Sequence, residues 1–93
     1  MNYLITYDIS DDKKRTKLSD LLDKYGSRAN YSVYECELNK TKLKQLLYQI
    51  ESSSLIEPKY DSIRFYHICQ NCVSKSYEIG RRPEPFDPKE MFV

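Results

Sequence analysis

Residues 3–12 read YLITYDISDD, and this stretch decides the fold class of the chain. Tyr and Ile recur at every second position up to Ile9, which is typical of a half-buried strand. Ser10, Asp11 and Asp12 follow at once and supply the capping oxygens and acidic charge that favour the start of a helix. The chain therefore opens with a strand that passes directly into a helix.

The remainder continues this alternation of strands and helices. Apolar residues recur at helical spacing on both sides of a strand-like segment. Gly26 is expected to end the first helix as its C-terminal glycine. The expected elements are a strand over 3–9, a helix ending at Gly26, one strand or two short strands over 28–38 with a kink near Asn30, a helix from about Asn39 to Ser52, a strand over 62–68 and a weak strand over 76–79.

This order predicts an α+β fold, the ferredoxin-like βαββαβ sandwich, with two helices on one face of an antiparallel sheet. The expected ferredoxin-like domain spans 1–80. Pro83, Pro85 and Pro88 exclude a helix and a central strand, so 81–93 is expected to be an extended C-terminal arm that contacts a partner or a second copy. A chain of 93 residues buries a modest core, which favours a homodimer.

Composition excludes several classes of protein. Fifteen basic residues against fourteen acidic ones give a net charge of +1, which fits neither a polycation nor an acidic tail. The apolar runs are too short for a membrane span or a signal peptide. Three cysteines, an odd number, favour reduced thiols and a cytoplasmic location.

Asp8 is the strongest candidate for a catalytic or metal-binding residue. It lies at the expected end of a strand, where carboxylates are disfavoured, and the start of a helix follows it. Two interpretations stay open. Asp8 either caps the turn into the helix or holds Mg²⁺ through one oxygen, with water and substrate phosphate as the other ligands. A metal site would need a second chain or the substrate to complete it, because no partner carboxylate is evident.

A basic run on the first helix and one arginine of the next strand are candidates for binding phosphates, although a solvated helix face is the alternative. These residues are Lys13, Lys14, Arg15, Lys17 and Arg28. Several strand tyrosines have rings that can stack on bases, but core packing is the simpler expectation for most of them. These tyrosines are Tyr7, Tyr31, Tyr34 and Tyr66.

The sequence Cys69-Gln70-Asn71-Cys72 is compatible with a zinc site, to which His67 and Cys36 would add further ligands. Reduced loop thiols are the default expectation, because a structural zinc site needs four ligands and no second paired motif exists. A redox motif of this kind usually lies at the start of a helix that follows a strand, and no helix is predicted to follow here.

Two motifs resemble the CRISPR-associated Cas-two family. The first is Tyr-Asp-Ile-Ser-Asp-Asp over 7–12, followed by Arg15 and then Tyr25-Gly26. The second is Arg-Ala-Asn-Tyr-Ser-Val-Tyr-Glu over 28–35, which is similar to the family's Arg-Val-Gln-x-Ser-Val-Phe-Glu. The chain departs from the family at Asn30, which replaces a glutamine, and at Tyr34, which replaces a phenylalanine. It also departs at two helix positions, where lysine replaces an arginine that can donate two hydrogen bonds to a phosphate. Those positions are Lys14 and Lys17.

The resemblance implies a ferredoxin-like homodimer that acts in the acquisition of CRISPR spacers with the CRISPR integrase. It also implies a metal-dependent endonuclease acting on single-stranded RNA or double-stranded DNA. Within the dimer a Mg²⁺ ion is expected between the two copies of Asp8. The residues that match the family's catalytic positions are Asp8, Tyr7, Arg15, Arg28 and Tyr34.

Three other functions remain open at this point. The first is a non-catalytic scaffold for duplex DNA within the integrase complex. A VapD-like toxin ribonuclease and a ligand-binding regulatory dimer share the same expected fold. Salt-sensitive nucleic-acid binding separates the last of these from the others.

Overall fold

The computed structural model describes residues 1–87; the end of the expected arm, 88–93, lies outside the described residues. The described elements follow the predicted βαββαβ order, with one further short helix. They are β1 (Asn2–Asp8), α1 (Asp12–Asp23), β2 (Gly26–Asn30), β3 (Val33–Glu37), α2 (Lys40–Ser52), β4 (Ser62–Ile68) and α3 (Gln70–Ser74).

The four strands form one antiparallel sheet in the order β2-β3-β1-β4. Strand β1 lies inside the sheet, where Ile5 is paired with Tyr34 of β3 on one side and Phe65 of β4 on the other. This order, with α1 and α2 as the two crossover helices, is the ferredoxin-like arrangement, so the predicted fold class is confirmed.

The pleat of the strands sorts their side chains between two faces. Ile5, Tyr34 and Cys36 are fully buried in the core with Leu18 of α1 and Leu46 of α2. The second face of the sheet carries the alternate residues. Across β3, β1 and β4 these include Glu35, Leu4 and Tyr66, which are paired in register.

Gly26 does not end helix α1 as predicted; it is required by the close approach of a neighbouring strand. Helix α1 ends before it, with Lys24 as the C-cap, and Gly26 is the first residue of β2. A Cβ atom at this position would lie 2.2 Å from the carbonyl oxygen of Glu35 and 2.6 Å from Sγ of Cys36. The prediction of a helix-ending glycine is therefore wrong: the residue is needed because β3 passes so close.

The segment 28–38 is two strands, one of the two forms predicted. The register slips between Arg28 and Asn30, and Tyr31 and Ser32 form the turn, with a φ of 56° at Ser32. Tyr31 is one of the tyrosines expected within a strand. It lies instead at the tip of the turn, 87% exposed.

The weak strand predicted over 76–79 is not formed in the described chain. The backbone N–H of Glu78 donates to the carboxylate of Glu84, so this segment bonds to a side chain rather than to a neighbouring strand. Phe86 then folds back on the sheet, where its N–H donates to Glu35 Oε1 at 3.1 Å and its ring is buried.

Candidate active site and nucleic-acid interface

A groove between α1 and the β2–β3 turn brings together most of the predicted site residues. It encloses about 490 Å³. Tyr7, Arg15 and Arg28 line it, and the ring of Tyr34 lies stacked beside Tyr7, with 6.4 Å between the ring centroids. We call this the α1 groove. Its remaining lining residues are Thr16, Ser19, Asp20, Asp23, Tyr31 and Ser32.

A chain of hydrogen bonds holds Arg28 at the wall of the α1 groove. Arg28 Nη2 donates to Ser19 Oγ at 2.6 Å, and Ser19 Oγ lies 2.8 Å from the Tyr34 hydroxyl. The Tyr34 hydroxyl lies 2.7 Å from Asp23 Oδ1, which accepts its proton. A cation and a carboxylate are therefore joined through two hydroxyl groups, and each hydroxyl has a donor and an acceptor.

Burial raises the pKa of Tyr34 above its ordinary value, so the buried ring stays a neutral phenol. The nearby Tyr34 hydroxyl raises the pKa of Arg28, whose guanidinium lies 5.6 Å from the centre of the Tyr34 ring. Tyr34 is fully buried and its hydroxyl is already occupied. Its geometry is that of a positioning residue for Arg28.

Arg15 connects the α1 groove to the loop that follows Asp8. Its Nη1 donates to the carbonyl oxygen of Ile9 at 2.8 Å, and its Nη2 contacts the carboxylate of Asp12. The side chain is only partly covered, so it can still present charge to a phosphate in the groove. Arg15 thus lies between the end of β1 and the groove.

Asp8 lies at the end of β1, where it is paired with Ser62 of β4, and its side chain is exposed. Alternation along β1 places it on the face opposite to buried Tyr7. The α1 groove does not include it among its lining residues. The structure therefore brings together four of the five predicted catalytic residues and leaves Asp8 on the other face of the sheet.

The capping interpretation of Asp8 is wrong, because Asp11 is the N-cap of α1. Its carboxylate accepts the backbone N–H of Lys14 at 2.9 Å. Within residues 1–87, no group of three or more His, Cys, Asp or Glu side chains could hold a metal ion. One exposed carboxylate per chain still fits Mg²⁺, which proteins bind through one or two carboxylates together with water and substrate phosphate.

The basic run of α1 is divided among different surfaces. Lys13 and Lys17 are exposed, one turn apart, and lie beside the α1 groove with Thr16 between them. Lys14 lies apart from this surface and lines a separate, largely apolar depression. Four of the five predicted phosphate-binding residues therefore lie in or beside the groove.

Asp61 is a positioning residue that sequence reasoning missed. Its Oδ1 accepts the N–H and the hydroxyl of Ser10, each at 3.0 Å, and its Oδ2 accepts the N–H of Glu57 at 3.0 Å. The bonds from Ser10 and Glu57 lower the pKa of Asp61. Asp61 fixes the loop after Asp8 in this way from 51 positions beyond Ser10, and no local pattern signals such a contact.

The pair Cys69 and Cys72 is also placed differently from the prediction. A short helix, α3, begins directly after Cys69, so the expectation that no helix follows the motif is wrong. The expectation failed because five residues are too few for a helical repeat of apolar side chains. The two Sγ atoms lie 3.1 Å apart and both residues are exposed.

The fold and the α1 groove define a small ferredoxin-like protein with cationic side chains arranged along one helix. Residues 1–76 match the family model for the CRISPR associated protein Cas2. The chain therefore belongs to the Cas2 family, as its two motifs predicted, and this membership favours the CRISPR interpretation over the toxin interpretation.

Similar proteins extend over most of the chain. It is 37% identical over 91 residues to the CRISPR-associated endoribonuclease Cas2 3 of Synechocystis sp., covering 98% of this chain and 97% of the relative. A crystal structure of Streptococcus pyogenes Cas2 superposes with a TM-score of 0.73 at 28% identity, covering 86% of this chain and all of that chain.

A third similarity is to a chain of a partial Cas6-RT-Cas1–Cas2 complex. The TM-score is 0.62 at 38% identity, over 84% of this chain and 89% of that chain. In the described part of this chain, residues 1–87, no helix has the length and apolar character needed to cross a membrane.

Proposed function

We propose that this protein is a nucleic-acid-binding homodimer of CRISPR spacer acquisition, with a metal-dependent endonuclease activity centred on Asp8. The single observation that supports the activity most directly is the placement of Asp8: an exposed carboxylate at the end of β1, beside a loop fixed by Arg15 and Asp61. The naming of the Synechocystis relative as an endoribonuclease supports the same activity. We place the dimer in the cytoplasm.

A homodimer would use the face of the sheet that points away from the helices. That face carries half-buried Leu4 and Val33 together with partly exposed Tyr66. A two-fold axis beside it would bring the ends of the two β1 strands, and hence the two Asp8 carboxylates, towards each other. The domain 1–80 would form this dimer, and the arm 81–93 would contact the second copy or the integrase.

Two Asp8 carboxylates brought close together repel unless a proton or a cation lies between them. They would hold Mg²⁺, which supplies a polarised phosphate and a water of lowered pKa when it is bound. Tyr7 supports Asp8 from the buried side of β1, where its ring is stacked beside Tyr34. Asp8 thus projects from a rigid strand rather than from a loop.

The arginines would bind and orient the nucleic acid strand. Arg28 is held by Ser19 with one nitrogen, so its remaining N–H groups can face a phosphate. Arg15 presents charge from the start of the groove, and Lys13 and Lys17 add charge along the exposed side of α1. These contacts recognise the backbone and carry no sequence preference.

A non-catalytic scaffold is the second candidate function, and one observation favours it. Asp8 and the α1 groove lie on opposite faces of the sheet, so a duplex bound along α1 does not need to contact Asp8. The similar chain in the Cas6-RT-Cas1–Cas2 complex supports an integrase as the protein partner. In this role the dimer would hold duplex DNA while the partner performs the chemistry.

One experiment separates the two candidates. Purified protein is incubated with labelled single-stranded RNA and with labelled duplex DNA, each with Mg²⁺ and with a chelator. Cleavage that stops with the chelator supports the endonuclease. Binding to duplex DNA that falls with salt, without cleavage of either substrate, supports the scaffold.

A further inference from the structure

Two sulfur atoms lie close together at the start of α3, away from the α1 groove. Cys69 directly precedes the helix, Cys72 lies within its first turn, and their Sγ atoms are 3.1 Å apart. Both residues are exposed, whereas the third cysteine, Cys36, is buried. Each thiol of the pair therefore lies next to a second thiol and is accessible to solvent, whereas Cys36 has neither property.

The backbone holds this pair in place. The N–H of Cys72 donates to the carbonyl oxygen of Cys69 at 3.0 Å, and the Ser76 hydroxyl donates to the carbonyl oxygen of Cys72 at 2.7 Å. Asn2 of β1 donates to the side chain of Gln70 at 3.1 Å, which ties α3 to the sheet. A disulfide of about 2.0 Å then requires the two sulfur atoms to approach each other by roughly 1 Å.

The two thiols are chemically unequal. Hydrogen bonding with the Cys72 side chain and with backbone N–H groups lowers the pKa of Cys69, and the same pairing raises the pKa of Cys72. The thiolate is the nucleophile in disulfide exchange, so Cys69 is suited to attack first and Cys72 to complete the reaction.

We propose that Cys69 and Cys72 form a reversible dithiol–disulfide site that reacts with low-molecular-weight disulfides of the glutathione class. The Cys69 thiolate attacks one sulfur of the small disulfide, forms a mixed disulfide and expels one thiolate. Cys72 then loses its proton and attacks Cys69 Sγ. The Cys69–Cys72 bond forms, the second small thiol leaves, and the Cys72 proton ends on one of the two released sulfurs.

The electrons balance in this sequence. The protein pair loses two electrons, and the small disulfide gains them as it becomes two thiols. Within residues 1–87 no further Cys, His, Asp or Glu joins the pair to make a group of three, so a four-ligand zinc site is not built by this part of one chain. The proposal does not depend on Asp8 or on the α1 groove.

The test equilibrates the full chain in buffers with different ratios of reduced to oxidised glutathione, followed by alkylation of free thiols and mass spectrometry. We expect Cys69 and Cys72 to become protected together as an intramolecular disulfide. Cys36 stays reduced and becomes alkylated only after denaturation. The variant Cys36→Ala, the matched control, oxidises with the same midpoint as the natural chain.

Single variants test the order of attack. Cys72→Ser is expected to accumulate a mixed disulfide with glutathione on Cys69, and Cys69→Ser to form its adduct roughly tenfold more slowly. A pair that remains fully alkylatable in a large excess of oxidised glutathione would overturn the proposal, as would disulfides formed between chains. Equal rates for the two variants would overturn the assignment of Cys69 as the attacking thiol.

Discussion

At the scale of single residues, the hydroxyl of Tyr34 joins the core to the candidate interface. It connects Asp23 to Ser19, and Ser19 in turn holds Arg28 at the wall of the α1 groove. Removal of this one oxygen leaves the buried Ser19 hydroxyl without its acceptor, whereas the exposed Asp23 carboxylate can bind water instead. The cost of an unsatisfied group of this kind is about 1–3 kcal/mol.

We therefore expect Tyr34→Phe to lower the free energy of unfolding by about 1–2 kcal/mol and to weaken duplex binding several-fold. The weaker binding follows because Ser19 no longer orients Arg28. Urea denaturation and a binding titration measure the two effects. Tyr48→Phe is the matched control, since its ring is exposed on α2 and does not line the α1 groove, and equal effects from both variants would contradict the positioning role.

Burial raises the pKa of the Cys36 thiol to about 12 from an ordinary value of 9.0. The folded protein therefore keeps this proton while the unfolded chain loses it. The stability from this group is fully present below pH 9 and is lost as the pH rises from 9 towards 12. Between pH 8 and pH 10.5 the loss is about 2 kcal/mol.

Urea denaturation at these two pH values, for the natural chain and for Cys36→Ala, measures this contribution. The variant is expected to lose less stability with rising pH, because the tyrosines contribute to both proteins and cancel. Ile50→Val, which removes a buried methyl group but no titratable group, is the control and should show the pH dependence of the natural chain. Parallel pH dependence of the natural chain and Cys36→Ala would show that the buried thiol does not resist ionisation.

At the scale of elements, the pairing of β2 with β3 depends on the absence of a side chain at Gly26. The added Cβ of Gly26→Ala would meet the backbone of Glu35, which cannot move without breaking the ladder to β1. We expect a loss of more than about 3 kcal/mol, or failure to fold. Ser27→Ala in the same strand is the control, and thermal unfolding that is equal for both variants would contradict the close approach.

The elements that sequence predicts well are those with a long, regular pattern. Strand β1 and the helices α1 and α2 each carry an apolar repeat over seven or more residues, and all three are found within about three residues of their expected bounds. Helix α3 is too short to show a repeat. The segment 76–79 has strand-like residues, but a strand also needs a neighbour, and in the described chain its N–H group at Glu78 binds a side chain instead.

At the scale of the whole molecule, the motifs predicted which residues belong to the candidate site. The pleat and the pairing of the strands determine which of those residues share a face of the sheet. Tyr7 and Asp8 are adjacent in sequence and lie on opposite faces of the sheet. Arg28 and Tyr34 are separated in sequence and lie together because β2 and β3 pair. Asp61 could not be found from sequence, because its partner Ser10 lies 51 positions earlier and only the tertiary fold joins the two.

The proposed endonuclease activity requires Asp8 to act from the second face of the sheet while the α1 groove binds the backbone of the nucleic acid. The most direct measurement compares cleavage and binding of labelled RNA and DNA by Asp8→Asn and by the natural chain in Mg²⁺. Glu51→Gln, which changes an exposed carboxylate on α2, is the matched control. We predict that Asp8→Asn loses cleavage by at least about 100-fold and keeps its affinity; cleavage that survives in Asp8→Asn would contradict the account.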